Sequence, residues 1–185
     1  MAKLQKEFLS FHDTIKIGTY EENKTLRDKR DMLIHELTVG LKDEVIPGTK
    51  NKLAFTKLDQ GSYAMNTGIK PKSDDYDIDV GVNFDINTDD YPSYELKQLV
   101  FDTINRQSNR TVEYNRPCIT VKYSNGYHID LAVYANNGSD MRIAWGKRNS
   151  EEKIWYKADP KGLTKWVGEV STDAIEREQF RRCVR

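Results

Sequence analysis

A short acidic stretch carries the chemistry that this sequence predicts most clearly. Asp77 and Asp79 lie two residues apart in the run Tyr76 to Asp85, where apolar and polar residues alternate. If the run is a β-strand, both carboxylates lie on one face, roughly 6 to 7 Å apart, and the apolar residues lie on the other. Carboxylate oxygens in this arrangement suit Mg²⁺ or Mn²⁺. An isolated pair is more often a solvated strand face, so its neighbours decide the interpretation.

Gly61 and Ser62 come before this strand and follow the apolar run Leu53 to Leu58. The order predicts a strand, a short helical turn and a second strand. At the start of a helical turn, backbone N–H groups and a hydroxyl can bind phosphate oxygens, and glycine lets the backbone approach the ligand closely. Gly-Ser alone is usually an ordinary turn. Beside an acidic strand, it indicates a phosphate-binding turn.

A third carboxylate, Asp130, lies in another alternating run, Tyr127 to Ala135. The loop Ser124-Asn125-Gly126 connects this run to a predicted strand, Cys118 to Tyr123. The two runs therefore predict a β-hairpin, and the turn geometry decides which residues pair across it.

A two-residue Asn-Gly turn would place Val121 opposite Asp130 and mix aliphatic and acidic residues on one face. A three-residue loop with Gly126 in the left-handed conformation places Thr120 opposite Asp130 instead. We prefer the second register because both strands then share an apolar face.

Lys122 lies beside Asp130 on the polar face in this register. It is interpreted either as a contact to a phosphate or as a solvated lysine. Three carboxylates and a phosphate-binding turn are the parts that two-metal nucleotidyl transfer requires. One ion lowers the pKa of the attacking hydroxyl, and the other neutralises the leaving pyrophosphate.

At this point the sequence resembles the polymerase-β-like nucleotidyltransferase superfamily, and within it the bacterial cGAS/DncV-like nucleotidyltransferases. The broad resemblance is the order Gly-Ser, Asp-x-Asp and a later single Asp. The narrower one depends on Gln60-Gly61-Ser62 followed by Thr67, on the run Asp77 to Val80, and on the segment Asp159 to Trp166. The resemblance extends over nearly the whole chain.

The resemblance implies an α+β fold with a polymerase-β-like nucleotidyltransferase core, in which a mixed or antiparallel sheet is flanked by helices and long helices lie at the N-terminus. It also implies that Mg²⁺, or Mn²⁺ in its place, is the cofactor. The predicted nucleotide-binding residues are Gln60, Gly61, Ser62 and Lys122, and the predicted catalytic and metal-binding residues are Asp77, Asp79 and Asp130.

Enzymes of this kind join nucleoside triphosphates into cyclic di- or trinucleotides, which are second messengers in anti-phage (CBASS) defence. The expected substrates are therefore NTPs, with ATP first and GTP or UTP as alternatives. Two other functions stay open: nucleotidyl transfer to a protein or small-molecule acceptor, and nucleotide binding without catalysis. The base, the linkage and the ring size of the product are not predicted.

Family members usually continue into a C-terminal helical domain that closes over the nucleotide, whereas this chain ends at Arg185. Residues 1–185 are therefore expected to be the catalytic domain of a longer protein. A last helix is predicted to begin at Asp173 and to belong to the missing domain. A regulatory protein partner is left open.

The composition limits the class of protein. With 185 residues, 37% of them hydrophobic, the chain is long enough for one core. Lysine plus arginine equal aspartate plus glutamate at 29 each, which argues against a long nucleic acid as the partner. The sequence shows neither a membrane span nor a signal peptide, so a cytoplasmic protein is expected. Cys118 and Cys183 lack zinc-site spacing and are predicted to be buried thiols.

Periodicity and capping residues predict the remaining elements. Ser93 is predicted to cap its helix, and Asp159 to cap a helix that begins at Pro160. The basic cluster Lys24, Arg27, Lys29 and Arg30 is interpreted as a solvated face, and Trp155, Tyr156 and Trp166 as core or domain-contact aromatics. The helices are expected at 3–16 with Leu4, Phe8, Phe11 and Ile15 on one face, at about 21–45 with Leu26, Leu33, Leu37, Leu41 and Val45 buried, and at about 93–107; a further strand is expected at 141–146.

Overall fold

The computed structural model describes residues 5–15, 20–65, 67–71, 76–169 and 173. The elements form an α+β fold, as predicted. In chain order they are α1 (Gln5–Ile15), α2 (Tyr20–Gly40), β1 (Phe55–Asp59), α3 (Gly61–Ala64), β2 (Tyr76–Asn87), α4 (Ser93–Ile104), β3 (Arg110–Tyr114), β4 (Ile119–Tyr123), β5 (Tyr127–Asn137), β6 (Asp140–Trp145), β7 (Ile154–Lys157) and α5 (Pro160–Gly168).

The strands described form one mixed sheet. Its order is β1-β2-β5-β4-β3, and β6 pairs with β5 and β7 with β6. The pair β2 and β5 is parallel, whereas the other five pairs are antiparallel. A parallel pair needs a crossover connection, which here contains α4, β3 and β4. The crossover makes neighbours of two strands that are far apart in the sequence.

The alternation predicted for β2 is confirmed and builds the centre of the core. The apolar side chains of β2 from Tyr76 to Phe84 are at most 5% exposed. They belong to one cluster with apolar side chains from β4, β5, α2 and α4. Because this face is covered, the polar residues of β2 and β5 must lie on the opposite face of the sheet.

The second helix is confirmed, but it is shorter than predicted. Leu26, Leu33 and Leu37 are at most 1% exposed, and Leu41, just past the helix end, is 2% exposed. The prediction for Val45 is wrong, since its side chain is 43% exposed. The helix ends at Gly40, so Val45 lies beyond it in a loop, where its backbone forms an isolated antiparallel β-bridge with Lys52.

The cap predicted for α4 is wrong, whereas the one predicted for α5 is confirmed. Ser93 is the first helical residue of α4 and is buried, while Pro92 occupies the N-cap in an extended conformation without a side-chain cap. Proline therefore sets the entry into the helix, which ends at Ile104 rather than Gln107. In α5 the Asp159 carboxylate accepts a hydrogen bond of 2.7 Å from the N–H of Gly162.

The three aromatic residues near the end of the described chain differ in burial. Trp155 packs against the core, and its indole N–H donates to the carbonyl of Tyr91 at 2.9 Å. The core prediction is wrong for Tyr156 and Trp166, which are 56% and 67% exposed. Both lie on surface faces of β7 and α5, so a contact with another domain stays a prediction for them.

Other predictions concern the ends of the chain and Cys118. The helix at 3–16 is confirmed as α1, but Phe11 is 51% exposed, so the proposed apolar face is not buried there. Cys118 is buried, as predicted. Cys183 and the helix predicted after Asp173 lie outside the described residues, as do the side chains of Leu4 and Phe8. No helix in the described ranges has the length and apolarity that crossing a membrane requires.

Candidate active site

The parallel pairing of β2 and β5 places the three predicted carboxylates on one face of the sheet. Asp79 lies directly opposite Asp130 in the register, and Asp77 lies opposite His128. Since adjacent strands are about 4.8 Å apart, Asp79 and Asp130 are nearest neighbours across the sheet. All three carboxylate residues are partly buried. The fold thus concentrates negative charge on a small area that faces away from the apolar core.

The hairpin register on which this arrangement depends is the predicted one. Thr120 pairs with Asp130, and Val121 pairs with Ile129. Gly126 has a φ of +79°, and its N–H donates to the carbonyl of Tyr123 at 3.2 Å. The loop is therefore the three-residue type with a left-handed glycine, and the two strands share their apolar face.

Gly61 brings the backbone of the turn directly against one of these carboxylates. Its φ is +64°, a region in which L side chains are strained. A Cβ on Gly61 would overlap the carboxylate of Asp79 and lie 2.7 Å from the Cβ of Asp79. Ser62 follows in α3 and is 8% exposed. Only glycine fits at position 61, because the backbone of the turn packs directly on the Asp79 side chain of β2.

Tyr134 supports the residue that precedes this glycine. Its hydroxyl donates to Oε1 of Gln60 at 2.8 Å. Burial is the main cause that raises the pKa of Tyr134 to about 12, so the hydroxyl remains protonated at neutral pH. A Cβ on Gly81 would lie 2.9 Å from the Tyr134 ring and 3.1 Å from Oε1 of Gln60. A larger residue at position 81 would therefore displace the two side chains that form this hydrogen bond. The Gln60 side chain therefore faces Tyr134, and its predicted contact to a nucleotide stays a prediction.

Two further contacts hold the ends of the turn. The backbone N–H and the hydroxyl of Thr67 both donate to the carbonyl of Ser62, at 2.9 and 3.4 Å. At the other end, Nη1 of Arg30 donates to Asp59, the last residue of β1, at 3.0 Å. The interpretation of Arg30 as solvated is wrong, because α2 packs this side chain against β1 and leaves it 6% exposed.

Lys122 and Glu113 form an ion pair on the same face of the sheet. Nζ of Lys122 lies 2.6 Å from Oε1 of Glu113, and both side chains are 40% exposed. The bond from Lys122 is the main cause that holds the pKa of Glu113 below its ordinary value. A phosphate would have to compete with Glu113 for this ammonium, and the predicted role of Lys122 stays a prediction.

The hydroxyl of Thr120, which the preferred register places opposite Asp130, is a hydrogen-bond partner of this carboxylate. Oγ1 of Thr120 donates to Oδ1 of Asp130 at 2.6 Å. Cys118 lies behind this pair, with Sγ 3.7 Å from Oγ1 of Thr120. Burial, together with the charge of Asp130, raises the pKa of Cys118 to about 11. The thiol is therefore protonated at neutral pH and is a poor nucleophile.

The donor set suits a hard divalent cation, but it does not form a closed cage. In the part of the chain that the structure describes, no three His, Cys, Asp or Glu side chains are grouped closely enough to hold a metal ion. Mg²⁺ keeps several waters and is commonly bound by one or two carboxylates plus substrate phosphates. An open set of oxygen ligands beside the Gly61 turn fits that mode of binding.

The residues that the sequence analysis missed support the predicted site through hydrogen bonds, either to a predicted residue or to a neighbour of one. They are Thr120, Asn115, Tyr134 and Arg30, which contact Asp130, Thr120, Gln60 and Asp59 respectively. The preferred hairpin register pairs Thr120 with Asp130, and this pairing is the signal from which the Thr120 contact can be predicted. The other contacts join elements that are distant in sequence, so no spacing pattern reveals them.

Comparisons with known proteins show what this chain is similar to. Residues 56–134 match the family model described as "Cyclic GMP-AMP synthase DncV-like, nucleotidyltransferase domain". The chain is 29% identical over 136 residues to a cyclic GMP-AMP synthase of Escherichia albertii, an alignment that covers 68% of this chain and 29% of that protein.

Solved structures of Vibrio cholerae DncV cyclic AMP-GMP synthase are similar in fold. The complex with nonhydrolyzable GTP gives a TM-score of 0.73 at 15% identity and covers 93% of this chain and 62% of that one. The form with 3′-deoxy ATP gives 0.73 at 15% identity, with 92% and 61% covered. The chain thus spans less than two thirds of these relatives, and at this identity the likeness shows the fold. The match of residues 56–134 to the family model and this likeness in fold both point to DncV-like nucleotidyltransferases.

Proposed function

We propose that this chain is the catalytic domain of a Mg²⁺-dependent enzyme that joins NTPs into a short cyclic oligonucleotide. The observation that carries the proposal is the contact of Gly61 with Asp79, which in turn lies beside Asp130 across β2 and β5. A phosphate-binding turn and a pair of carboxylates are thereby held together by packing. This is the arrangement that a triphosphate and its divalent cations require.

The three carboxylates would hold the metal ions together with phosphate oxygens of the substrate. Asp77, Asp79 and Asp130 supply oxygen ligands of the kind that Mg²⁺ and Mn²⁺ prefer. Bound cations of this type lower the pKa of an attacking hydroxyl and neutralise charge on a leaving pyrophosphate. The contribution of the protein is to fix these ligands before substrate arrives, because preorganised groups need no rearrangement during the reaction.

Gly61 and Ser62 would bind the triphosphate of the donor nucleotide. The turn is fixed at three points, through Tyr134 to Gln60, through Thr67 to Ser62, and through Arg30 to Asp59. A phosphate held by a fixed turn lies at a defined distance from the carboxylates. Orientation of this kind supplies much of the rate acceleration in phosphoryl and nucleotidyl transfer.

The substrates and the product are proposed for the whole protein. ATP and GTP are favoured because the similar DncV structures contain nonhydrolyzable GTP and 3′-deoxy ATP. The relation to cyclic GMP-AMP synthase favours a cyclic dinucleotide, with a trinucleotide as the alternative. A role of that product as a second messenger in anti-phage defence rests on the family resemblance.

The proposal is tested with α-³²P-labelled ATP and GTP, Mg²⁺ and the 185-residue chain. We expect a labelled product that resists phosphatase, since a cyclic product has no terminal phosphate. The double variant Asp77→Asn, Asp79→Asn should lose it. The control Asp85→Asn, on the same strand but exposed, should retain it. Unchanged turnover in the double variant would exclude the proposed site, and label that is covalently attached to a protein would favour transfer to a protein.

A further inference from the structure

A partly buried chain of hydrogen bonds leads from the interior of the domain to Asp130. Its last link is the bond of 2.6 Å from Oγ1 of Thr120 to Oδ1 of Asp130. An O–H···O⁻ bond of this length is in the range of charge-assisted hydrogen bonds, which are about twice as strong as neutral ones. Thr120 is 7% exposed, so water competes little for its hydroxyl.

Asn115 fixes the direction of this bond. Its Nδ2 donates to Oγ1 of Thr120 at 2.9 Å. A hydroxyl has one proton to donate. Because the lone pair of Oγ1 accepts from Asn115, the proton of Thr120 is directed at Asp130. The opposite orientation of the Asn115 amide would place two acceptors against each other, since Thr120 has no second proton to give.

The position of Asn115 is itself fixed from the core. Nζ of Lys97 donates to the carbonyls of Asn115 and Arg116, at 2.7 and 2.9 Å. It also donates to the carbonyls of Ala144 and Gly146, at 3.4 and 3.3 Å. Lys97 is 1% exposed, so these bonds hold the segment after β3 in one place. Lys97 thereby fixes the backbone of Asn115, whose side chain bonds Thr120.

We infer that Thr120, oriented by Asn115, is a positioning residue that holds the Asp130 carboxylate ready for a divalent cation. The inference rests on the proposed function. The bond occupies Oδ1 and prevents rotation of the carboxylate about its Cβ–Cγ bond. The other oxygen, Oδ2, is left in a fixed direction. Partners of this kind typically change metal affinity or activity by about 10- to 100-fold when they are removed.

The test measures binding of Mn²⁺ alone by electron paramagnetic resonance, with the 185-residue chain. Thr120→Val keeps the shape of the side chain and removes the hydroxyl, whereas Thr120→Ser keeps the hydroxyl. We expect Thr120→Val to bind Mn²⁺ about 10- to 100-fold more weakly and Thr120→Ser to bind like wild type. Thr103→Val is the matched control, because Thr103 is 6% exposed and its hydroxyl donates to the carbonyl of Leu99 within α4. It should leave Mn²⁺ affinity unchanged.

A second variant, Asn115→Ala, covers the case in which Thr120→Val does not fold. It leaves the hydroxyl in place but removes the group that directs it, so Mn²⁺ should again bind more weakly than to wild type. Circular dichroism and urea unfolding establish that each variant is folded before it is titrated. Wild-type affinity in a folded Thr120→Val, or in Asn115→Ala when Thr120→Val does not fold, overturns the inference.

Asp130→Asn separates this inference from the proposed function. If Asp130→Asn loses Mn²⁺ binding while Thr120→Val retains it, the positioning role is wrong and the metal site stands. If the wild-type chain does not bind Mn²⁺ even with a non-hydrolysable NTP present, or if Asp130→Asn binds it fully, both the metal site and the positioning role are wrong. Loss in both Asp130→Asn and Thr120→Val, with rescue in Thr120→Ser, supports both.

Discussion

Replacement of Gly61 by alanine is the change whose effect the structure specifies most fully. The added methyl group meets two separate obstacles. The φ of +64° lies in the left-handed region, and the Cβ would overlap the carboxylate of Asp79. Either the turn or the acidic side chain must therefore move, and both belong to the proposed site.

Gly48→Ala separates the cost of the left-handed backbone conformation from the cost of the overlap with Asp79. Gly48 has a similar φ of +74°, and a Cβ there would have no heavy atom within 4 Å. We expect Gly48→Ala to lower the free energy of unfolding by about 1–2 kcal/mol, which is the cost of a left-handed conformation for an L residue. For Gly61→Ala, overpacking adds about 1–3 kcal/mol, giving about 2–5 kcal/mol in total.

The assay combines urea unfolding with nucleotidyl transfer and Mn²⁺ binding. Unfolding midpoints at unchanged slope report the free energies. Since a displacement of about 1 Å in a catalytic group can cost about 100-fold in rate, Gly61→Ala should lose transfer by at least that factor while still folded. Gly48→Ala should retain transfer. Equal stability and equal activity in the two variants would refute the claim that Gly61 packs on Asp79.

Three further predictions concern the supports of the site. Lys97 is buried, and desolvation lowers its pKa from the ordinary value of 10.5 to about 8. Between these two pH values the folded state binds fewer protons than the unfolded state, so the stability of wild type relative to Lys97→Met should rise with pH. Urea titrations should show a rise of up to about 3 kcal/mol across that window. A flat difference would refute the low pKa. Tyr134→Phe removes the donor to Gln60 and should lower the free energy of unfolding by about 1–3 kcal/mol, with no effect if the bond is absent in solution. The side chains of Arg110 and Glu36, which are 1% and 24% exposed, form an ion pair. Glu36→Gln should destabilise the fold by about 1–3 kcal/mol in thermal or urea unfolding, because the buried guanidinium loses its charged partner, and unchanged stability would contradict the pair.

The sequence predicts well those features that depend on local periodicity. The alternation in β2 places Asp77 and Asp79 on one face without any knowledge of the fold. The choice of a left-handed Gly126 was also correct, because only that turn keeps both strands of the hairpin apolar on the same side. Local patterns of this kind determine both the secondary structure and the register.

Long-range features were not predictable in the same way. The sequence analysis does not predict the strands β3 and β7. They are short, and the sheet stabilises them through their pairing with β4 and β6. Arg30 was assigned to a solvated face, because its partner Asp59 is distant in the sequence. Ser93 was assigned as a cap, although Pro92 occupies that position. In each case tertiary packing outweighed a local preference.

The parallel neighbourhood of β2 and β5 is also a long-range feature. The resemblance to a known family implied that Asp79 and Asp130 meet, whereas periodicity showed only that each faces away from an apolar side. The register of Asp79 with Asp130 supplies the missing geometry.

Anomalous diffraction from crystals of this chain grown with Mn²⁺ and a non-hydrolysable NTP tests the shared metal site most directly. We predict an anomalous peak within about 2.0–2.3 Å of carboxylate oxygens from both Asp79 and Asp130, with the triphosphate beside Gly61 and Ser62. A peak bound by the triphosphate alone, or one at a site away from these two carboxylates, would contradict it.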